Sequence, residues 1–452
     1  MSNSWSKISF GFLVFLFVGS YCWGQNLSLS PTDNSPFSRL GIGNFFDQQS
    51  AAQLGMGGLS TAIIDPFHLN FENPAALAYL QATSFEVAFS AKYSSYSEEN
   101  QTEDFWTGNL NYLALGFPLI NPINRILDRD QRPLSLGMSI SLRPYTVVGY
   151  DILNEIEFSD IGTTLNSFKG SGGTYRLMWG NALRYKNLSV GFQFGSIFGK
   201  VINSRRIEFS DLDLSYSTEQ QDDVVFGGWL WDFGALYTLP LNKVEDPTVR
   251  NRPGEAKQLV IGVQANNSNT INTTLSSYFR RESTLIGIAD TLSAFDELRG
   301  KATLPSSVSL GVTYETFNRL KVGLEYTLGM WSEYENEALP EVLNDSYEVR
   351  VGLEYIPDIT SFNRYFKKVR YRFGAFYGND PRSINGQQLE NYGITLGIGM
   401  PMIKPRETTS YFNISLELGQ FGISDILRET YGRLTFGFAL NDNSWFFKRK
   451  FD

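Results

Sequence analysis

The feature that most constrains the fold is an alternation of apolar with polar or small residues that recurs along most of the chain. Residues 320–329 read Leu-Lys-Val-Gly-Leu-Glu-Tyr-Thr-Leu-Gly, so every second side chain is large and apolar. Residues 188–195 and 412–419 repeat this pattern. Because successive side chains of a β-strand point to opposite faces, a period of two predicts strands with one apolar face and one polar face.

Such segments follow one another from about residue 84 to residue 440 with no helical interlude. Phe, Tyr and Leu crowd the apolar side, and aromatic residues make up 15 % of the chain. Charged residues such as Glu348, Arg350 and Arg372 lie on the other side. An apolar exterior against lipid and a wet lumen produce this pattern, whereas a soluble antiparallel sandwich is the alternative. The sequence predicts an all-β fold, a transmembrane antiparallel β-barrel.

The number of alternating segments predicts a barrel of about 14 strands. One of the counted segments begins near Asn203, and a further segment opens at Tyr431. Long polar interludes separate some segments, and we interpret them as loops or as loops that carry some strand. They include residues 95–107, 152–171, 214–224 and 268–302.

The N-terminus has the pattern of an export signal. Lys7 supplies a positive charge, residues 8–18 form an apolar core, and a cleavage site is expected near Gly24 or Gln25. No run approaches the ~20 apolar residues of a spanning helix. We therefore predict a signal peptide over residues 1–25. After export, such a chain can cross a membrane only as a closed barrel.

Composition argues against several functional classes. A net charge of −9 disfavours nucleic-acid binding, which needs a basic face. The single cysteine, Cys22, lies in or beside the signal, and the single histidine, His68, leaves no His-clustered metal site. Neither a Gly-x-Ser-x-Gly elbow nor a phosphate-binding loop is present. We expect no enzymatic activity, no cofactor, no metal site and no nucleic-acid partner.

Residues 26–82 lack sustained alternation and are rich in Gly, Asn, Pro and Ala. Residues 51–62 read Ala-Ala-Gln-Leu-Gly-Met-Gly-Gly-Leu-Ser-Thr-Ala, and residues 73–77 read Asn-Pro-Ala-Ala-Leu. This pair of motifs resembles the N-terminal hatch of the FadL-like family of outer-membrane transporters for long-chain fatty acids and other hydrophobic compounds. Residues 304–314 are similar to a strand of that family, and residues 435–450 resemble its Bacteroidota-type branch.

The resemblance implies a 14-stranded barrel whose lumen holds an N-terminal hatch, here residues 26–82, followed by a barrel over residues 83–452 in the cell outer membrane. It implies passive uptake of hydrophobic small molecules such as long-chain fatty acids, with sideways exit through a break in the third strand. One branch instead serves a type 9 secretion system. The alternative function is therefore a non-transporting accessory barrel of a secretion machine. Expected partners are outer-membrane lipid and a hydrophobic ligand or, under the alternative, secretion-system proteins.

Within the hatch, several residues are candidates for packing or gating. Gly55, Gly57 and Gly58 would allow close approach of the backbone to the barrel wall. Asn73 is expected to cap a short helix that starts with Pro74. His68 is either a structural residue or a ligand or proton switch. The alternative for the whole segment is an ordered extension without a gating role.

Within the barrel, Pro144 is the candidate for a lateral gate, because a proline inside a strand cannot donate a ladder hydrogen bond. The alternative is that the third strand simply ends there. Arg143, Arg350 and Arg370 are candidates for binding a carboxylate head group. The alternative is a solvated polar lumen whose arginines pair with acids. These acids are Glu348, Glu354 and Glu417.

Overall fold

The computed structural model describes residues 32–98, 101–120, 133–158, 162–212, 215–242, 253–283, 289–402 and 409–442. The predicted signal peptide and the last residues of the C-terminal motif lie outside these ranges. The short helices are Pro36–Arg39, Ala51–Leu54, Pro74–Tyr79, Trp331–Glu333 and Tyr365–Lys367. None of the helices in the described ranges is long and apolar enough to cross a membrane.

The strands are numbered in chain order. They are β1 (Asn44–Phe45), β2 (Thr83–Glu98), β3 (Gln101–Pro118), β4 (Leu134–Phe158), β5 (Gly162–Tyr185), β6 (Leu188–Phe209), β7 (Tyr216–Pro240), β8 (Lys257–Asn266), β9 (Asn269–Ser283), β10 (Ala289–Leu304), β11 (Ser307–Thr316), β12 (Leu320–Gly329), β13 (Glu335–Asn336), β14 (Ser346–Tyr355), β15 (Arg370–Ile384), β16 (Gln387–Met402), β17 (Ser410–Ile423) and β18 (Leu427–Asp442).

Fourteen of these strands form a closed antiparallel barrel: β2 to β8, β11, β12 and β14 to β18. The last strand, β18, pairs with β2 from Arg428 opposite Ser97 to Asp442 opposite Thr83, which completes the ring. The predicted fold class and the count of about 14 strands are confirmed. One counted segment was assigned wrongly, since the segment at Asn203 continues β6. The further segment at Tyr431 is a strand, the fourteenth of the barrel, so the count stays at fourteen.

The outward face of the barrel is apolar and uncovered. Leu324 at the centre of β12 is 55 % exposed, whereas its neighbour Glu325, which points inward, is 2 % exposed. Leu324 lies opposite Val312 of β11 and Val351 of β14, which are also exposed. A sandwich would bury these side chains in a dry core, so that alternative is wrong. An apolar exterior on a closed ring of strands is the surface that lipid requires, and the protein is an outer-membrane β-barrel.

The barrel wall is uneven in height. We call the end where β2 begins proximal and the opposite end distal. Strands β8, β11, β12 and β14 have 10 residues each, close to the ~9–11 residues that cross a bilayer, whereas β4 to β7 have 22 to 25. The longer strands continue beyond the apolar belt, and the β9–β10 hairpin pairs with the distal part of β7. We call this extension the crown: the distal parts of β4 to β7 together with β9 and β10.

The crown corrects the interpretation of the polar interludes as loops. Residues 95–107, 152–171, 214–224 and 268–302 are mostly strand. The outer face of the crown carries ion pairs in place of apolar side chains: Arg280 lies 2.7 Å from Glu219, and Arg206 lies 2.5 Å from Glu208. Above the lipid both faces of a strand can be polar. The period-two signal therefore disappears although the strand continues.

The lipid-facing assignment predicts the effect of a charge at the centre of β12. We expect Leu324→Arg to lower the free energy of unfolding in lipid vesicles by about 2–4 kcal/mol, because it places a cation at the bilayer midplane. Ala294→Arg, at an exposed position on the crown, is the matched control and should change stability by less than about 0.5 kcal/mol. Urea titration followed by heat-modifiable gel migration measures both. Equal effects of the two substitutions would contradict the assignment.

Candidate functional site

Residues 32–82 occupy the inside of the barrel, and we call them the plug. The helix Ala51–Leu54 is entirely buried, and the Ser50 N–H donates to Gln53 Oε1 at 2.9 Å at its start. The second helix, Pro74–Tyr79, begins as the sequence predicts. Pro74 is its first residue, and the Ala75 N–H donates to Asn73 Oδ1 at 3.1 Å. Asn73 also donates from Nδ2 to Thr61 O at 2.6 Å, so this side chain joins two parts of the plug.

Glycines on the inward face of the wall meet the plug backbone. A Cβ on Gly352 would lie 2.3 Å from Met56 O, and one on Gly137 would lie 1.9 Å from Leu77 O. Gly352 belongs to a row of glycines that are adjacent in register, since it lies opposite both Gly323 and Gly374. Further members continue around the barrel and also meet the plug. They are Gly191, Gly234, Gly262, Gly311, Gly397 and Gly437. Any side chain larger than hydrogen at these places would displace the plug.

The glycines predicted in the plug lie on this contact surface. A Cβ on Gly55 would be 2.7 Å from Gly397 Cα of β16. Gly57 has φ +69°, and a Cβ there would be 2.6 Å from Val351 O. Gly58 has φ +75° and lies beside the Arg350 side chain. The gating role proposed for these residues stays a prediction.

Ion pairs fix the plug to the wall. Arg370 of β15 lies 2.5 Å from Asp65 of the plug and 3.7 Å from Glu354 of β14, and Arg372 lies 2.7 Å from Glu354. All four side chains are largely buried. Closer to the middle of the lumen, Arg433 of β18 pairs with Asp47 of the plug. Buried pairs of this kind resist separation, because removal of one partner leaves an uncompensated charge.

Glu325 is an anchor that the sequence reasoning missed. Its carboxylate accepts hydrogen bonds from the backbone N–H groups of Ser60 and Thr61 at 2.8 and 2.7 Å. Lys321, which also points inward from β12, donates to Ile64 O at 2.6 Å. Both side chains lie on the inward face of β12, opposite its lipid-facing leucines. In the sequence, the signal for these wall–plug contacts is the presence of charged residues on the side of β12 opposite its large apolar residues.

His68 lies in the plug and is 4 % exposed. Its Nδ1 is 3.2 Å from Asp65 Oδ2, and its Nε2 is 3.0 Å from Asn413 Nδ2 of β17. The ring also lies 4.9 Å from the ring of Tyr411, between centroids. This arrangement matches the structural alternative, in which the imidazole is held by packing and hydrogen bonds rather than facing a ligand. The proton-switch role stays a prediction.

The three arginines proposed to bind a head group are each occupied by protein groups. Arg350 makes two hydrogen bonds to Glu348 at 2.7 and 2.9 Å. Arg143 is 1 % exposed and donates to Gln48 O at 3.0 Å, with Glu72 at 3.5 Å. Arg370 is held by Asp65, as described above. A ligand carboxylate would have to displace these partners, and the head-group role stays a prediction.

A cavity of about 370 Å³ remains between the plug and the distal part of the wall. Its lining is dominated by charged and amide side chains. They include Asp47, Glu72, Asp232, Glu348, Arg350 and Arg433. Such a lining suits water and ions better than an apolar ligand, for which pockets are mostly hydrophobic. Among the described residues, no group of His, Cys, Asp or Glu side chains is arranged to hold a metal ion.

A hydrophobic cluster packs inside the crown next to this cavity. Trp331, Tyr334 and Leu343, from the segment between β12 and β14, pack with Ile42 and Phe45 of the plug. The cluster also includes inward residues of the crown, such as Val224 and Ile271. The Gly41 N–H donates to the carboxylate of Glu341. Burial raises the pKa of the Glu341 carboxyl above its usual value.

The wall changes at Pro144, within β4. The strand does not end there but continues to Phe158, so the alternative of a strand end is wrong. Pairing with β5 shows a register shift between Pro144 and Thr146. On the other side, the described pairing with β3 stops at Leu142 opposite Leu113. The plug supplies partners beyond this point: β1 pairs with β4, and Phe46 N donates to Tyr145 O at 2.9 Å.

The buried pairs between plug and wall predict how the plug responds to loss of one charge. We expect Arg370→Met to destabilise the plug by about 3–5 kcal/mol, because Asp65 is then left buried without its guanidinium. Hydrogen exchange of the amides near Asp65 should become faster. Arg206→Met removes exposed pairs on the crown and should change stability by at most about 1 kcal/mol. Unchanged protection in Arg370→Met would show that the plug does not depend on this pair.

Solved structures with the same fold are outer-membrane channels. The toluene transporter TodX of P. putida matches with a TM-score of 0.54 at 14 % identity, over 88 % of this chain and 99 % of that chain. The toluene transporter TbuX of Ralstonia pickettii has a TM-score of 0.51 at 13 % identity, with the same coverage. A Pseudomonas aeruginosa FadL homologue has a TM-score of 0.51 at 12 % identity, again over 88 % and 99 %. At such identities the likeness shows the fold alone.

Sequence comparison identifies a different family from the one that the hatch motifs resemble. No curated protein matches the chain. The structural likeness to FadL and TodX supports the predicted architecture, and the Bacteroidota-type branch stays a prediction. The family model of BamG matches residues 7–452, almost the whole sequence. This chain therefore belongs to the BamG family.

Proposed function

We propose that this protein is a non-transporting accessory barrel of an outer-membrane secretion or assembly machine. The observation that carries the proposal is the filled lumen. The plug meets the inward glycines and is held by buried ion pairs, the remaining cavity is polar, and a hydrophobic cluster packs next to it. A ligand in this cavity would meet charged and amide side chains together with aromatic ones, rather than an apolar pocket. A barrel of this kind is suited to be a membrane-anchored component that binds other proteins through its exposed surfaces.

Two further observations support an accessory role. The crown extends four strands of the wall and one hairpin past the apolar belt, and it offers other proteins a surface outside the hydrocarbon layer. The family assignment also separates the chain from the named hydrophobic-compound channels, with which it shares only the fold.

The second candidate is the channel for hydrophobic small molecules such as long-chain fatty acids. The fold likeness and the end of β3–β4 pairing next to Pro144 favour it. In that function the plug would move, and the ligand would leave sideways between these strands. The plug segments that now pair with β4 would have to be released first.

Uptake and depletion experiments in cells separate the two functions. We expect uptake of a labelled long-chain fatty acid to be the same in cells with the intact protein and in cells without it, because the lumen is filled. Depletion should lower the amounts of other outer-membrane or secreted proteins several-fold. Uptake is also measured in a variant that lacks residues 36–82, which shows what the barrel passes when the plug is absent. Uptake that requires the intact protein, with no effect of depletion on other exported proteins, would favour the channel.

A further inference from the structure

The wall carries an open cleft at the distal end of the β3–β4 gap. Residues 102–107 of β3 pair with β2, and residues 150–158 of β4 pair with β5. Within the described part of the chain, neither stretch has a strand partner on the side that faces the other. We define the cleft by these two stretches. Unpaired edges of this length are templates for another strand.

Within this protein, the β4 edge already pairs with a short strand of the plug. Just below the cleft, β1 of the plug pairs with β4 as an antiparallel strand, Asn44 opposite Val147 and Phe45 opposite Thr146. One level higher, Ser35 N donates to Gly149 O at 2.7 Å. The cleft begins directly above this contact. A strand added there would continue an interface that the protein already makes.

A segment of the plug bridges the gap just below the cleft. Thr32 Oγ1 donates to Gly108 O of β3 at 3.0 Å, and Ser35, three residues later, donates from its backbone N–H to Gly149 O of β4 at 2.7 Å. One short segment of the protein therefore contacts both edges, as an added strand would.

Both edges of the cleft are negatively charged, which favours a basic partner. Asp151, Glu155 and Glu157 lie on β4, Glu103 and Asp104 lie on β3, and these two stretches contain no Lys or Arg. All five acids are exposed, and Asp151 also pairs with Lys169 of β5.

Apolar side chains accompany the acids. Trp106 of β3 is 74 % exposed and Leu153 of β4 is 61 % exposed. On β4 the acids and Leu153 are alternate residues and share one face, whereas Ile152 and Ile156 lie on the other face. An occupant that alternates basic and apolar side chains would present its basic residues to the acids and its apolar residues to these isoleucines.

Strand β10 supplies a second open edge of the crown, which differs from the cleft in its charge and in its regularity. Residues 289–300 of β10 are also unpaired on one side in the described structure. Their acids are mixed with Arg299, and Lys301 follows directly. Two register shifts interrupt the strand, and Glu297 has φ +53°. Bulges of this kind protect an edge against added strands, whereas β4 pairs with β5 without a shift from Thr146 to Phe158.

We propose that the cleft binds a Lys- or Arg-rich extended segment of a partner protein, which adds to the β4 edge as a strand. Main-chain hydrogen bonds would supply affinity, and the acids and apolar side chains would supply specificity. The proposal rests on the accessory function, for which it names a docking site and the chemistry of the partner.

Synthetic peptides test the site on the full-length protein in nanodiscs of zwitterionic lipid. The probes are fluorescent nonapeptides, one alternating Lys and Val and one alternating Glu and Val, followed by anisotropy. We expect the basic peptide to bind and the acidic peptide not to bind. Glu155→Lys with Glu157→Lys should weaken the basic peptide at least 10-fold and allow the acidic peptide to bind. Asp296→Lys with Glu297→Lys, at the β10 edge, is the matched control and should change binding less than 2-fold.

A third probe separates strand addition from simple charge attraction. The basic peptide with N-methylated valines keeps its charge but loses backbone donors, and we expect it to bind at least 5-fold more weakly. Equal binding of the methylated peptide, or no effect of the β4 charge reversal in protein that migrates as a folded barrel, would overturn the proposal. If the peptides fail while depletion still lowers other exported proteins, the docking site is wrong and the accessory function stands. If they bind and depletion has no effect, the accessory function is wrong.

Discussion

Lipid offers no hydrogen bonds to a polypeptide backbone, and the architecture of this protein follows from that constraint. Fourteen strands satisfy one another around a closed ring, and β18 meets β2 over fifteen registered positions. In the described part of the ring, the barrel strands β3 and β4 separate above Leu142, and there the plug provides backbone partners to β4 at Tyr145, Thr146 and Val147. The plug therefore completes part of the wall as well as filling the lumen.

The fit between plug and wall depends on two complementary features. Glycines at neighbouring register positions leave room for the plug backbone, as Gly352 does for Met56. Charged residues on the same inward faces then bind the plug, as Glu325 does with the Ser60 and Thr61 amides. Close contact excludes water from these bonds, and the low dielectric strengthens them. A filled lumen of this kind favours a protein that acts through its surfaces.

Much of the plug was predictable from residue types. Asn73 and Pro74 start a helix because a side-chain acceptor and a fixed φ suit its first turn, and the structure places them so. The wall glycines were visible in the sequence as the small residues that alternate with leucine and valine, as in β12. Their role as plug contacts could not be inferred from the sequence, because a glycine on the polar side of one strand indicates such a contact only when its neighbours in register are also known.

The membrane barrel could be predicted from residue order alone, since lipid imposes a period of two on every spanning segment and that period is local. The crown could not be recognised in this way, because strands above the lipid are wet on both faces and lose the period although their ladders continue. Which arginines pair with which acids, and where the β3 and β4 edges part, depends on contacts made in the folded protein. Those contacts join residues such as Asp65 and Arg370, which lie hundreds of positions apart and meet only after the ring has closed around the plug.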